Sequence, residues 1–383
     1  MRPRILVAGG GPVGLAFACM SPDWDVRVLE AAPARTAPEG DEYDVRVLAL
    51  SPGTRALLRD VGAWERLDAS RVAAVRRMEV FGDGGAKLQF AARPGAALAW
   101  VLEAGRLAQA IEAQAACLAN VTISHEAKAV DFGVEGRTAW ASLASGERIE
   151  ADLLVGADGP DSPVRARIGI PFEERPYGES AVVAHFETER AHGETARQWF
   201  REDGVLAWLP LPGRRISIVW STPNENARAL EALDTRAFER RVREAGAAVL
   251  GDLRRISPVA RFPLRLVRVP QPVAPCVALV GDAAHAVHPL AGQGVNLGFQ
   301  DVRALCAALA ARSAVEGVGD LAVLRRYARD RREDVTAMQF LTDALDRLFA
   351  TERPGAFTLR NLGLGIVENQ PWAKAALARR AMR

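Results

Sequence analysis

The sequence predicts an α/β fold in which a Rossmann-type nucleotide-binding domain is interrupted by a mainly antiparallel β-sheet domain and followed by a C-terminal helical segment. Three observations lead to this prediction. A short apolar run, Ile5 to Ala8, enters a glycine-rich turn. Short stretches rich in Val, Ile, Trp and Phe fill residues 172–222. Helical spacing then returns over most of residues 301–383.

Composition limits the class of protein. A chain of 383 residues is too long to fold around one ordinary hydrophobic core, so two packed regions are expected. A net charge of +2 without a basic stripe predicts no nucleic-acid partner. The four cysteines are far apart, which argues against disulfides and favours a cytoplasmic location. No apolar run reaches the roughly 20 residues of a membrane-spanning helix.

The first motif is a glycine turn followed by an acid. Gly9, Gly11 and Gly14 occupy the G-x-G-x-x-G positions, with Pro12 and Val13 between them, and Glu30 ends the next strand. Glycines let a pyrophosphate reach backbone N–H groups at a helix N-terminus, and the acid accepts ribose hydroxyls. Gly14 and Glu30 are 16 residues apart, less than the usual ~20, so the first helix should be about one turn short.

Two further glycine-containing turns follow buried strands. Leu153 to Val155 lead into Asp158 and Gly159, a turn that is common without any ligand. Val277 to Val280 lead to Asp282, and then to a loop and helix start containing Gly292, Gly294 and Asn296. Backbone N–H groups at such a helix start suit a negatively charged ring system. His285 and His288 lack a third ligand nearby, so we expect no metal site.

With these motifs placed, the chain resembles the FAD-dependent aromatic hydroxylases of the para-hydroxybenzoate hydroxylase fold, and within them the ubiquinone-biosynthesis hydroxylases. The resemblance is carried by five stretches: 44–58 (DVRVLALSPGTRALL), 206–221 (LAWLPLPGRRISIVWS), 262–266 (FPLRL), 281–305 (GDAAHAVHPLAGQGVNLGFQDVRAL) and 347–371. The three motifs also occur in that superfamily's order.

The resemblance implies an FAD site and its residues. Glu30 would bind the adenosine ribose, Asp282 the ribityl chain, and Asp158 would lie at the cofactor edge. The remaining cofactor-binding positions are Arg46, Arg106, Gly159, Pro289, Gly292, Gly294, Val295 and Asn296, and the flavin-facing loop includes His288, Pro289, Gly292 and Gln293. Ala104 stands where the family usually has asparagine, which puts one flavin contact in doubt.

The resemblance also implies the reaction. NAD(P)H would dock transiently and reduce the flavin, and a flavin C4a-hydroperoxide formed with O2 would hydroxylate the ring of a polyprenyl phenol, a ubiquinone precursor. Candidates for the apolar substrate pocket are four aromatic residues of the strand-rich region, more often core than pocket in such strands: Phe186, Trp199, Trp208 and Trp220. No general base is identifiable, and His185, His192 and Tyr177 are candidates by residue type alone.

The chain order predicts the domain boundaries. We expect an FAD-binding domain from 1–75, 100–170 and 270–320, a substrate domain from 76–99 and 171–269, and a helical region at 321–383. Residues 353–383 carry six basic residues and one acid among apolar ones. Such an end can touch anionic lipid at the inner membrane or a partner in a biosynthetic complex, or pack on the domain.

Two other functions stay open. One is hydroxylation of a small soluble phenol, which a requirement for a prenyl tail would distinguish. The other is a non-catalytic flavin-binding scaffold within a biosynthetic complex, which the alanine at position 104 slightly favours. Consumption of NAD(P)H with oxygen uptake, stimulated by a phenol, would exclude the scaffold.

Overall fold

The computed structural model describes residues 2–34, 42–287 and 294–350, with side chains to residue 344. The strands of the first half are β1 (Arg4–Ala8), β2 (Asp25–Leu29), β3 (Val47–Leu50), β4 (Ala73–Val75), β5 (Arg77–Phe81), β6 (Lys87–Ala91), β7 (Ala99–Glu103), β8 (Val121–Ser124), β9 (Ala129–Glu135), β10 (Thr138–Leu143), β11 (Arg148–Ala151) and β12 (Leu153–Gly156). Those of the second half are β13 (Glu173–Thr188), β14 (Thr195–Arg201), β15 (Gly204–Leu211), β16 (Arg215–Pro223), β17 (Leu253–Arg255), β18 (Ala260–Arg268), β19 (Val273–Ala274), β20 (Val277–Leu279) and β21 (His285–Ala286).

Eight α-helices accompany these strands in the described part of the chain. They are α1 (Pro12–Cys19), α2 (Pro52–Asp60), α3 (Ala104–Ala115), α4 (Pro163–Ile168), α5 (Asn224–Glu231), α6 (Thr235–Ala245), α7 (Gly294–Ala310) and α8 (Leu321–Ala350). Three short 3-10 helices lie at Trp64–Arg66, Ala69–Arg71 and Gly281–Ala283. None of the helices described is both long and apolar enough to cross a lipid bilayer.

A six-stranded sheet collects distant parts of the chain, in the order β19-β20-β12-β1-β2-β8. All neighbours from β20 to β8 pair in parallel. The carboxyl ends of β1, β2, β12 and β20 therefore meet at one edge, where ligands bind in open parallel sheets. Both faces are buried, and α1, α7 and α8 contribute to the core on one of them. This sheet places all three sequence motifs side by side.

A second, mainly antiparallel sheet is built around the 16-residue strand β13. Its order is β21-β18-β13-β16-β15-β14-β5-β6, with β17 also paired to β13. One pair, β14 with β5, is parallel. Helices α5 and α6 cover one face through a core that includes Phe186, Trp208 and Phe238. Two three-stranded sheets, β3-β7-β4 and β9-β10-β11, complete the topology. The predicted fold class is confirmed.

The sequence predicts helices over residues 54–66 and 235–253, and both are shorter in the structure. The helix expected over 54–66 begins at Pro52 and ends at Asp60, because Gly62 turns the chain with a φ of +76°. The helix expected over 235–253 ends at Ala245, and Ala247 and Ala248 follow with φ of +53° and +50°. In both stretches the apolar residues keep helical spacing beyond the end of the helix. The packing of these residues favours a turn there instead. The first helix, α1, has only eight residues, as the short Gly14-to-Glu30 spacing predicted.

Candidate active site

The first glycine turn fits so tightly that the protein itself requires two of its glycines. Gly9 has a φ of +107°, and a Cβ there would lie 2.3 Å from the carbonyl oxygen of Ala157. A Cβ on Gly14 would lie 2.1 Å from the carbonyl oxygen of Gly9. Any side chain at either position would push β1, α1 and the turn after β12 apart. These two glycines bring the first and second motifs together.

Gly11 has a different role, because a Cβ on it would meet no protein atom within 4 Å. It caps α1 without a side-chain hydrogen bond, and Pro12 begins the helix. The space beside Gly11 at the N-terminus of α1 is therefore free of side chains of the described residues. A helix N-terminus in that condition attracts an anion. The open space beside Gly11 fits the pyrophosphate of a dinucleotide.

Glu30 is held in place by two backbone groups of this turn. Its Oε2 accepts the N–H of Gly10 at 3.1 Å, and its Oε1 accepts the N–H of Ala32 at 3.0 Å. The carboxylate thus lies at the end of β2, next to the glycine turn. Charged acceptors bind hydroxyl groups more strongly than neutral ones. The position and charge fit the ribose hydroxyls of an adenosine.

The second motif forms a self-supporting turn. Asp158 accepts hydrogen bonds from Ser162 Oγ at 2.5 Å and from the N–H of Val164 at 2.9 Å. Burial raises the pKa of this carboxyl, and the two hydrogen bonds oppose that effect. Gly159 has a φ of +85° with open space around it. Asp158 orders the turn and the start of α4, and its contact with a cofactor stays a prediction.

Asp282 in the third motif is accessible to solvent, yet protein surrounds it closely enough to raise the pKa of its carboxyl by desolvation. The charges of His285 and Arg46 oppose this rise. Within the described part of the chain, its carboxylate has no hydrogen-bond partner. An accessible, unpaired carboxylate in a recess is suited to a hydroxyl-bearing ligand. The turn therefore fits the ribityl chain of a flavin nucleotide.

A buried ionic network supports the turn that contains Asp282, and the sequence did not predict it. Asp301 Oδ2 accepts the N–H of Gly281 at 2.9 Å and contacts His285 Nε2 at 2.6 Å. Its Oδ1 accepts Arg331 Nε at 2.7 Å. Burial alone would raise the pKa of Asp301, but His285 and Arg331 outweigh it and lower the pKa. The only sequence signal was an acid within an otherwise apolar stripe of α7. His285 thus has a structural partner.

Arg165 is a second residue that the sequence did not reveal. It is buried, and it donates Nη1 to the carbonyl of Ala283 at 2.8 Å and Nη2 to that of Pro160 at 2.7 Å. Burial lowers the pKa of its guanidinium, and the charge of Asp158 counteracts this. Arg165 therefore ties the second motif to the third. An arginine in a short helix carries no sequence signal of such a role.

The start of α7 locks onto two other elements. Asn296 accepts the N–H of Ser51 at 2.9 Å and the hydroxyl of Thr54 at 2.8 Å, and it donates to the carbonyl of Ala49 at 2.9 Å. A Cβ on Gly298 would lie 2.7 Å from a methyl group of Val13. Asn296 therefore joins α7 to the β3–α2 junction. Gly294 and Val295, the other predicted positions here, begin α7 and are half-buried.

Of the two predicted arginines, only Arg106 contacts a buried acid, Glu103. Arg106 Nε donates to Glu103 Oε2 at 2.9 Å, and Arg71 pairs with both oxygens of this carboxylate at 2.9 Å. Arg46 is exposed, and its charge acts on Asp282. At the position of the expected asparagine, the N–H of Ala104 donates to the carbonyl of Arg46. Arg46 thus lies nearer the cofactor turn than Arg106 does.

The four aromatic pocket candidates do not meet at a cleft. Trp208 and Trp220 are each 1% exposed, and Phe186 and Trp199 belong to the same core beneath α5 and α6. Strand alternation explains why these four side chains are buried. They all lie on the face of the sheet that α5 and α6 cover. The opposite face presents small and polar residues directly paired across strands, Val183 with Val219 and His185 with Ser217.

Two of the three residues that were base candidates by type, His185 and His192, have backbone partners, whereas Tyr177 packs against Arg175. His185 is fully buried, and its Nε2 contacts the carbonyl of Asp44 at 2.9 Å. His192 contacts the carbonyl of Leu211 at 3.0 Å and accepts the N–H of Glu194. The flavin-facing loop (His288, Pro289, Gly292 and Gln293) and residues 353–383 lie outside the described residues.

The chain is similar in sequence and in fold to known flavin-dependent enzymes. A family model described as an FAD binding domain matches residues 2–341. The chain is 33% identical to the mouse (Mus musculus) mitochondrial ubiquinone biosynthesis monooxygenase COQ6, over 94% of this chain and 87% of that protein. It is also 33% identical to the 3-demethoxyubiquinol 3-hydroxylase of Escherichia coli, over 95% and 94%. The crystal structure of P. aeruginosa PqsL in complex with 2-aminobenzoylacetate is similar, with a TM-score of 0.77 and 26% identity over 96% of this chain and all of that one.

Proposed function

Because the chain belongs to the FAD-binding monooxygenase family that contains the ubiquinone-biosynthesis hydroxylases, we propose that it hydroxylates the aromatic ring of a polyprenyl phenol, a ubiquinone precursor. The chain is an FAD-dependent monooxygenase, and NAD(P)H is the electron donor typical of the family. The observation that carries the substrate class is 33% identity to two ubiquinone-biosynthesis enzymes over at least 94% of this chain. This identity favours an enzyme over a scaffold without catalysis.

The residues around the three turns support an assignment of roles toward FAD. The free N-terminus of α1 beside Gly11 would hold the pyrophosphate, Glu30 the adenosine ribose, and Asp282 the ribityl chain. Arg46 would lie near the phosphates or the ring. When bound, FAD accepts electrons from NAD(P)H and activates O2 for transfer of one oxygen atom. The protein binds and orients it.

The composition of the sheet face opposite α5 and α6 supports an apolar substrate. Small side chains such as Ala181, Val183 and Val219 alternate there with the aromatic residues of the core. Apolar walls exclude water from a reacting site. A phenol ring lying on this face would leave its prenyl tail in apolar surroundings.

The test is direct identification of the product. The FAD-loaded enzyme, NADPH or NADH, and ¹⁸O2 are mixed with a prenylated phenol or with the same phenol without its tail. We expect one ¹⁸O atom in the prenylated product, detected by mass spectrometry, and much slower turnover of the tail-free phenol. Equal turnover of the two would instead establish a small soluble phenol as substrate. Oxygen consumption without a labelled product would refute the hydroxylase proposal.

We also propose that residues 353–383 bring the enzyme to a membrane surface where such a substrate is dissolved. The support is compositional: six basic residues, one acid and interspersed Leu, Ile, Phe and Trp. Positive charge near an anionic surface contributes about 1 kcal/mol per residue. A contact with a partner of a biosynthetic complex would use the same segment, and a vesicle assay separates the two.

A further inference from the structure

A cavity of about 260 Å³ lies behind the Asp301 network, between α8 and the segment that connects β18 to β19. Its wall includes His285, Asp301 and Arg331, but none of the residues assigned above to FAD. A second recess of about 370 Å³ shares Pro270, Ala328 and Arg332 with it. The two recesses form one groove along α8, which we call the α8 groove.

The α8 groove is strongly positive. Its first recess is lined by Arg268, Arg331 and Arg332, and its second by Arg325, Arg329 and Arg332. Arginines at 325, 329 and 332 follow one face of α8, since residues four and seven apart lie on the same side of a helix. Among the described lining residues the only carboxylate is Asp301. That group is already bound to Gly281, His285 and Arg331.

Two buried nitrogen atoms of the wall residues have no partner in the described part of the chain. These atoms are Nη2 of Arg331 and Nδ1 of His285, in side chains that are 6% and 4% exposed. A buried polar group without a hydrogen bond costs about 1–3 kcal/mol, and more when it is charged. Both residues line the first recess, so a polar ligand there could satisfy these nitrogen atoms once the two side chains turn toward it.

The charge and geometry restrict the ligand. A cation would be repelled by five arginines, and an apolar molecule would leave the buried nitrogens unsatisfied. Guanidinium groups match the oxygen atoms of phosphate in a bidentate manner. We propose that the α8 groove binds a phosphate group, carried by a small soluble ligand or by a lipid headgroup. Because Arg331 and His285 both hold Asp301, which accepts the N–H of Gly281, this site is one residue away from Asp282.

The test is calorimetric titration of the FAD-loaded enzyme with inorganic phosphate at constant ionic strength. Arg332→Gln is the informative variant, since Arg332 is exposed, lines both recesses and has no ion-pair partner among the described residues. Arg236→Gln on α6 is the matched control, an exposed arginine that is likewise unpaired in the described structure. We expect Arg332→Gln to weaken phosphate binding about tenfold and Arg236→Gln to leave it unchanged.

Vesicles distinguish the source of the phosphate. Phosphatidylcholine vesicles with and without phosphatidylglycerol are sedimented with the three proteins. Binding to the anionic vesicles that Arg332→Gln weakens more than Arg236→Gln supports a lipid headgroup as the source, and titration with soluble phosphate alone supports a free ligand. The proposal is overturned if neither probe binds, or if both substitutions weaken binding equally, because the attraction would then be diffuse.

Discussion

At the residue scale, two aspartates 19 positions apart have opposite pKa shifts. Burial raises the pKa of Asp282, and the charges of His285 and Arg46 only partly offset the rise. The same desolvation acts on Asp301, but hydrogen bonds and charge from His285 and Arg331 reverse its effect and lower the pKa. The second acid serves the fold, whereas the first has the position that we propose for a ligand contact. Their sequence surroundings do not distinguish these roles.

The Asp301 network predicts a pH-dependent stability. A carboxyl whose folded pKa is lowered stabilises the protein above its unfolded pKa of about 3.9, and the contribution is lost as pH falls through the folded pKa. Asp301→Asn should therefore destabilise the protein at pH 7, by about 3–5 kcal/mol for a broken buried pair. Thermal unfolding of variant and parent should show a gap that narrows only below about pH 4. A gap independent of pH down to acid unfolding would contradict this account.

Glu30 provides the second prediction at this scale. Replacing Glu30 with Gln removes the charge but keeps the shape, so FAD affinity should fall about tenfold through weaker ribose hydrogen bonds. The measurement is quenching of flavin fluorescence as apoprotein is reconstituted with FAD. Glu150→Gln is the control, because Glu150 is exposed and pairs only loosely with Arg148 at 3.7 Å. Equal affinity of both variants would remove Glu30 from the site.

At the element scale, the β1–α1 unit shows two different reasons for a glycine in a phosphate-binding turn. Gly14 is required because the backbone of Gly9 lies in the space of its missing side chain. Gly11 faces open space and has a φ of −71°, which any residue can adopt. One glycine therefore serves the packing of helix on strand, and the other leaves room for a ligand.

This difference predicts contrasting effects of the same substitution. Gly14→Ala should lower the stability of the apoprotein by about 1–3 kcal/mol through overpacking. Gly11→Ala should leave the apoprotein as stable as the parent and weaken FAD binding instead. Chemical unfolding of the apoproteins and FAD titration measure the two effects separately. If Gly11→Ala bound FAD as the parent does, the pyrophosphate would lie elsewhere.

Substitutions on the two faces of the antiparallel sheet should have different effects, one on stability and the other on KM. Trp220→Ala should destabilise the protein by about 3–5 kcal/mol, because this side chain fills the core beneath α6. Val219→Phe adds volume to the opposite, partly exposed face. It should raise KM for the phenol several-fold with little change in thermal stability, and steady-state kinetics would show it. An unchanged KM would place the substrate away from Val219.

At the scale of the whole molecule, parts of the chain more than 250 residues apart complete one site. The 6-stranded sheet aligns the carboxyl ends of β1, β2, β12 and β20. Arg165 links the second turn to the third, and Asn296 links α7 to the β3–α2 junction. The cofactor site therefore stays intact only while these segments remain packed together.

The C-terminal segment supplies the prediction at this scale. Removal of residues 369–383 takes away four basic residues (Lys374, Arg379, Arg380 and Arg383) and Trp372. Co-sedimentation with phosphatidylglycerol vesicles should fall strongly, since each lost charge removes about 1 kcal/mol of surface attraction. Full FAD occupancy of the truncated protein is the control for folding. Undiminished sedimentation would exclude this segment as the membrane contact.

Local chemistry is the part of the site that the sequence could predict. The glycine turn, Glu30, Asp158 and Asp282 are each recognisable because a strand, a turn residue and a helix start occur in consecutive positions. The short α1 and the strand-rich second region follow from spacing and alternation in the same way. Arg165, Asp301 and Arg331 were missed because their partners are distant in the chain.

By itself, therefore, the sequence determined the α/β class, the order of the three motifs and the type of cofactor they suit, since these depend on neighbouring residues. Only the tertiary structure decided which face of the second sheet packs against α5 and α6, and which buried charges support the turns. Strand alternation identifies two faces but does not say which one α5 and α6 will cover. That choice depends on the packing of the entire chain.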